Sequence, residues 1–243
     1  MEPVRCVLFD AGNTLMHLDY DFIAGVVTEH GHAVAPMALR LAEYHAKAAI
    51  DRELAPEMAA PDSIEGLIWL DGDQRPSYFA TVLHHVGVPR ERVRPMLDAL
   101  QAHNRADSLW RIVDSDTPAV LRSLSDRGFT LAVISNSDGR VEGDLARYGL
   151  RSHFATVIDS HLVGVEKPNP AIFHLALEQL GYAASQSVYI GDVFGIDVKG
   201  ARRAGLQAVL IDTLGRYHGR VDCPRVSRLR ELLDLLPATA APA

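Results

Sequence analysis

Short apolar runs rich in β-branched and aromatic residues alternate with segments of helical spacing over most of this chain. The first run covers residues 4–9, and the same character returns at 130–134, 156–158, 188–190 and 208–211. Between and after them, residues 117–127, 141–148, 170–180, 197–204 and 228–236 repeat their apolar positions three and four apart, as one face of a helix requires. Strand alternating with helix at this spacing predicts an α/β fold, a Rossmann-like doubly wound parallel sheet. The first two runs lie about 120 residues apart, far more than one crossover helix needs. The extra material reads as amphipathic helices at 21–30, 36–53, 77–86 and 90–106, punctuated by Pro56, Pro61, Gly72 and Pro76. The expected organisation is a core of residues 1–17 and 111–236, an inserted all-helical subdomain at 18–110, and a flexible tail at 237–243.

Composition removes several function classes. The 243 residues, 48% of them apolar, suffice for one large domain or a core with one sizeable insertion. A net charge of −7 offers no broad basic surface, so neither nucleic acid nor an anionic membrane is expected as a partner. Any phosphate must then be held by local groups. No apolar run approaches the ~18 residues of a membrane span, and the first stretch is too short and interrupted for a secretory signal. Cys6 and Cys223 form neither a disulfide framework nor a metal-ligand spacing, which fits a reducing cytoplasm. The lysines are Lys47, Lys167 and Lys199 in a chain dominated by arginine, so the placing of Lys167 carries information.

Four polar segments punctuate the predicted sheet, each read as following a strand. They are Asp10-Ala11-Gly12-Asn13-Thr14, Ser135-Asn136, Lys167-Pro168, and Gly191-Asp192 with Asp197 beyond. Strand ends of an open parallel sheet share one edge, so these groups are expected to converge in one crevice. Gly12 and Asn13 readily take positive φ, which makes residues 10–14 a tight loop able to face a ligand. Alone, Asp10 also reads as a turn aspartate and Ser135 as a strand-end cap. In company, the Ser135 hydroxyl and the amides after it can hold an anionic oxygen, and Lys167 stands before a helix N-terminus that attracts anions. Two acids across a glycine-containing turn, beside Asp10, suit a hard divalent cation, with Mg²⁺ the natural candidate.

Taken in this order, the four segments resemble the motifs of the haloacid dehalogenase (HAD) superfamily of aspartate-nucleophile hydrolases, over residues 4–17 and 111–236. The insertion resembles the helical cap of that superfamily in its placing. The resemblance implies a Mg²⁺-dependent phosphatase acting on a small phosphorylated metabolite through an aspartyl-phosphate on Asp10. It further implies that Thr14 holds loop and phosphate, and that Ser135 and Lys167 hold the transferring group. Gly12, Asn13 and Asn136 would bind substrate, and Asp10, the Gly12 carbonyl, Asp192 and Asp197 would form the cation site. From the insertion, Arg40, Arg75 and Trp69 are candidate specificity contacts. A monomer or homodimer is expected.

One position departs from the pattern. HAD phosphatases usually carry a second aspartate two residues after the nucleophile, as general acid and base, where this chain has Gly12. Such catalysis is typically worth ~10²–10⁴ in rate. His17, Asp19 and Asp21 are the local substitutes, His17 foremost because imidazole titrates near neutrality. A metal-independent 2-haloacid dehalogenase also lacks the second aspartate, and Arg40 sits at the spacing of its cap arginine. A catalytically attenuated phosphate-binding or regulatory protein is the other competing reading. Both acids of the last motif favour a metal. A carbon–phosphorus hydrolase would need a cap lysine, and Lys47 lies on a segment read as a solvated face.

Overall fold

The computed structural model describes residues 3–56, 67–70 and 76–238; Arg75 and residues 239–243 of the expected tail lie outside them. The chain divides into two compact units, Met1–His17 with Arg111–Ala243, and Leu18–Trp110. Its strands are β1 (Cys6–Phe9), β2 (His17–Leu18), β3 (Trp110–Ile112), β4 (Thr130–Ser135), β5 (Thr156–Asp159), β6 (Ser187–Gly191), β7 (Gln207–Ile211) and β8 (Arg225–Val226). Its α-helices are α1 (Tyr20–Glu29), α2 (Pro36–Leu54), α3 (Tyr78–His85), α4 (Arg90–Ala106), α5 (Thr117–Asp126), α6 (Val141–Arg147), α7 (Ser160–Val163), α8 (Pro170–Leu180), α9 (Lys199–Arg203) and α10 (Leu232–Leu235).

In the first unit six strands form a parallel sheet in the order β5-β4-β1-β6-β7-β8. Every residue of β1 and of β6 is buried, which explains why these strands read as continuous apolar runs rather than alternating ones. The chain leaves β1 for β4 and β5 on one side, then returns to β6, β7 and β8 on the other. The strand order therefore reverses at β1, the point where an open α/β sheet leaves a crevice beyond its strand ends. Phe9 is in register with Val133 on β4 and with Ile190 on β6, so Asp10 is level with Ile134 and Gly191, and Ser135 and Asp192 each follow one residue further along.

Helix α8 shows how sequence sets the loop before it. The Asn169 side chain caps the helix by accepting from the Ala171 N–H at 3.0 Å, Pro170 occupies the first turn, and Gly181 at φ 72° ends it. Ile172, Phe173, Ala176 and Leu177 face inward, which anchors the Lys167–Pro168 segment, joined by a cis peptide, against the core.

Several elements differ from expectation. Lys167 does not follow a strand directly, because β5 ends at Asp159 and α7 intervenes. The helix expected from residue 197 begins at Lys199, preceded by a π-helical turn over Phe194–Val198. Residues 228–236 split into a 3-10 turn, Leu229–Glu231, and α10. The two-residue strand β8 and the ribbon pairing β2 with β3 are too short to leave a periodic signal.

The second unit consists of α1–α4 packed around Ile23, Val27, Leu39, Leu83, Met96 and Leu100. Asp19 caps α1, its carboxylate accepting from the Phe22 N–H at 2.9 Å. Glu43 on α2 is buried, accepts hydrogen bonds from the Tyr78 hydroxyl at 2.7 Å and from Tyr20, and pairs with Lys47 at 3.5 Å. Lys47 is thus engaged in a largely buried ion pair, contrary to the solvated face read for its segment. Among the described residues no helix is long and apolar enough to cross a membrane.

Candidate active site

The loop after β1 is shaped by its own backbone. The Asp10 N–H extends the ladder to the Ile190 carbonyl at 2.8 Å, and the chain then curls so that the Leu15 and Met16 N–H groups both donate to the Ala11 carbonyl, at 2.9 and 3.0 Å. Asn13 takes the left-handed conformation at φ 55° and donates to the Met16 carbonyl at 2.6 Å. Gly12 has no positive φ, so of the two residues expected to supply one, only Asn13 does. The turn buries Thr14, whose hydroxyl has no hydrogen-bond partner. Leaving a buried polar group unmatched costs about 1–3 kcal/mol, so the loop holds a donor in want of an acceptor.

Lys167 organises the centre. Its Nζ donates to Asp10 Oδ1 at 2.6 Å, to Asp197 Oδ1 at 2.8 Å and to the Tyr189 hydroxyl at 2.8 Å, and its side chain is 2% exposed. The loop that carries it is laced to the end of β4. Asn136 Nδ2 donates to the Lys167 carbonyl at 2.9 Å, while the Lys167 N–H donates to Asn136 Oδ1 at 2.8 Å. The Asn136 amide, expected to bind substrate, is thereby joined to both backbone groups of Lys167. Ser135, next to it, is buried at the strand end. Asp159 supports the following loop by accepting from the Gly139 N–H at 3.0 Å and from the His161 N–H at 3.0 Å.

Asp197 has its two carboxylate oxygens divided between two tasks. Oδ1 accepts from Lys167, and Oδ2 accepts from the backbone N–H groups of Asp192 and Val193, at 3.1 and 2.9 Å. The π-helical turn makes this possible by bringing residue 197 back over residue 191, a use of the wide turn that recurs at functional sites. A Cβ at Gly191 would stand 2.4 Å from Asp197 Cγ, so only glycine permits the approach. A Cβ at Gly200 would meet the Pro168 Cα at 3.0 Å, which fits α9 tightly against the Lys167 loop.

Carboxylate oxygens of Asp10, Asp192 and Asp197 lie within 4.8 Å of one another. Burial pushes the Asp10 carboxyl up to about 7; Lys167 opposes that rise while Asp197 and Asp192 reinforce it. Lys167 is affected the other way: burial alone would lower its pKa, but Asp10 and Asp197 hold it well above the usual lysine range. Hard carboxylate oxygens at this spacing fit a hard divalent cation. Asp197, whose two oxygens accept from Lys167 and from its own turn, would orient its neighbours, and Asp10 and Asp192 would ligate.

Arg40, half-buried on α2, and Trp69, 53% exposed, belong to the second unit. The His17 imidazole lies 3.6 Å from the Asp114 carboxylate, and the Asp19 carboxylate is committed to its cap. Tyr189 is the residue that sequence reasoning missed, and its one signal was a hydroxyl inside an otherwise aliphatic central strand.

A parallel sheet whose switch point buries an aspartate against a lysine, with two further acids alongside, defines an aspartate-centred α/β hydrolase. The chain belongs to the haloacid dehalogenase-like hydrolase family, whose profile matches residues 4–205. It is 30% identical over 253 aligned residues to haloacid dehalogenase-like hydrolase domain-containing protein 3 of Bos taurus, covering 98% of this chain and 97% of that one. It is 27% identical to glyceraldehyde 3-phosphate phosphatase of Methanopyrus kandleri, over 96% of this chain and 97% of the relative. A HAD-hydrolase from Bacillus subtilis, solved bound to magnesium, shares the fold at a TM-score of 0.62 and 17% identity, covering 97% of this chain and 99% of that one.

Proposed function

We propose that the chain is a Mg²⁺-dependent phosphatase that hydrolyses a small phosphorylated metabolite by way of an aspartyl-phosphate on Asp10. The observation that carries this reading is the buried Asp10 carboxylate, held 2.6 Å from Lys167 Nζ at the switch point of the sheet and close to Asp192 and Asp197. An anionic oxygen reaches an anionic phosphorus only when positive charge offsets the repulsion, and Lys167 supplies part of it. Asp10, Asp192 and the Gly12 carbonyl would hold Mg²⁺, which when bound supplies the rest as a Lewis acid. In the first step an Asp10 oxygen forms a bond to phosphorus while the bond to the leaving-group oxygen breaks, and with Gly12 offering no acid that oxygen takes its proton from water. Thr14 and Ser135 donate to the phosphoryl oxygens, and Lys167 turns its ammonium from Asp10 to the transferring group. Water then attacks phosphorus, which returns Asp10 as a free carboxylate and releases phosphate.

A relative named glyceraldehyde 3-phosphate phosphatase, aligned over 96% of this chain, supports the same reading. With a net charge of −7, its partner is taken to be a small molecule rather than nucleic acid or membrane. A cytoplasmic monomer or homodimer completes the proposal. The test is phosphate release from a panel of phosphorylated metabolites, with Mg²⁺ and with chelator, alongside halide release from 2-chloropropionate. Mg²⁺-dependent phosphate release that disappears in Asp10→Asn is the expected result. Halide release that survives chelator would replace this reading with the 2-haloacid dehalogenase, and phosphate binding without turnover would replace it with the regulatory one.

A further inference from the structure

A lysine ammonium has three N–H bonds and nothing in its own geometry to fix their directions. In this site all three are directed, toward Asp10, Asp197 and Tyr189. The first two acceptors bring charge. Tyr189 brings direction, for a reason that lies on its far side: its hydroxyl donates to the Ile134 carbonyl at 2.8 Å. A phenol carries one proton. With that proton committed to Ile134, the Tyr189 oxygen can only accept from Lys167.

The same hydroxyl links two halves of the site. Ile134 is the residue before Ser135 on β4, Tyr189 is on β6, and β1 runs between those strands. Tyr189 therefore reaches past β1 and ties the strand end bearing Ser135 to the ammonium of Lys167. Its ring is fully buried and packs edge-on against Phe173, with centroids 5.0 Å apart and planes at 78°, so packing fixes the ring independently of the hydroxyl.

We propose that Tyr189 is a positioning residue whose hydroxyl aims Lys167 at the transferring phosphoryl group and keeps it in register with Ser135. The inference rests on the phosphatase reading above. When a phosphoryl group takes over the Lys167 N–H now given to Asp10, the bonds to Asp197 and Tyr189 remain to hold the ammonium still. Tyr189→Phe deletes one oxygen atom and leaves the ring contacts in place.

The test is steady-state kinetics of Tyr189→Phe on a hydrolysed phosphate ester with Mg²⁺, together with inhibition by orthovanadate, a mimic of the five-coordinate transferring group. The expected result is a kcat lower by about 10- to 100-fold, KM within twofold of wild type, and vanadate inhibition weakened by about the same factor as kcat, since positioning acts on the transition state. A merely structural hydroxyl would lower the melting temperature and leave kcat per folded site unchanged, which would overturn the proposal. A raised KM with unchanged kcat would also overturn it. With only Lys47, Lys167 and Lys199 to assign, ¹⁵N-lysine NMR supplies a measurement on the unaltered chain. A slowly exchanging Lys167 ammonium with a cross-relaxation peak to Tyr189 is expected, and its absence counts against the geometry even if Tyr189→Phe does not fold. A wild-type chain that releases no phosphate overturns the phosphatase reading and this inference together. An active wild type with an equally active Tyr189→Phe overturns the inference alone.

Discussion

The Asp10 carboxyl should make the metal-free protein lose stability as pH rises, a direction opposite to that of most carboxylates. Its pKa stands at about 7 in the folded chain, raised chiefly by burial, against about 3.9 for an aspartate in an unfolded chain. A raised folded-state pKa means that the folded chain binds the extra proton more tightly. The resulting stabilisation is fully present below pH 3.9 and is lost as pH climbs through 7. Between pH 5 and pH 8 the loss comes to about 3 kcal/mol at roughly 1.4 kcal/mol per pKa unit, or about 6–12 °C in Tm for a chain of this size. Thermal melts in chelator at both pH values, on wild type and on Asp10→Asn, report on this carboxyl together with the Lys167 charge that it faces. The wild-type Tm should fall relative to the variant on going from pH 5 to pH 8. Saturating Mg²⁺ should raise the wild-type Tm more at pH 8 than at pH 5, because the cation competes with the proton for the same carboxylate. Parallel melting curves for the two proteins in chelator would refute the argument that Asp10 is forced toward its neutral form.

Two substitutions test other parts of the site. Gly191→Ala places a Cβ 2.4 Å from Asp197 Cγ, so Asp197 must give up its hold on Lys167 and on the backbone of Asp192 and Val193. Overpacking of this kind costs about 1–3 kcal/mol, so calorimetry should show a lower Tm and little remaining stabilisation by Mg²⁺; an unchanged Mg²⁺ response would contradict the role given to Asp197. Gly12→Asp installs a proton donor, and positioned acids are typically worth ~10²–10⁴. Hydrolysis of alkyl phosphates, whose leaving groups need a proton, should rise toward that range while acetyl phosphate, whose leaving group needs none, gains little. An equal effect on both substrates would show that proton donation is not what Gly12 forgoes.

Much of the core was legible because burial on both faces forces continuous apolar runs, and those of β1, β4 and β6 are hard to mistake. The convergence of Asp10 and Asp192 was legible for a related reason, since polar residues that follow the strands of such a sheet gather at one edge, whereas Lys167 and Asp197 reach the same place from beyond α7 and from a π-helical turn. The helices of the second unit were legible from their spacing, with α4 spanning the same residues 90–106 in both. What could not be read was the division of labour among neighbours. Nothing in the order of residues says that Asn136 would turn its amide to the backbone of Lys167, or that Asp197 would spend one oxygen on N–H groups within its own turn. Those outcomes depend on the π-helical turn and on the detour through α7, neither of which has a periodic signature. Tyr189 was hidden because a tyrosine within an apolar strand normally reads as core, and its function depends on a carbonyl two strands away.

On the proposed function, the charge pattern gives both the lysine and a further cation a task. Lys167 alone faces two carboxylates in hydrogen-bond contact and a third close by, in a region with little water to screen them. The chain answers the imbalance in the cation's absence by keeping Asp10 partly protonated near neutral pH, which is the form that cannot attack phosphorus. Under the proposed function Asp10 and Asp192 would hold a divalent cation, which would remove the reason for that proton. Asp10 would then be ionised, and Lys167 would face the negative charge of the phosphoryl group. Burial, which by itself makes Asp10 a poor nucleophile, would on this reading make its nucleophilicity conditional on cation binding.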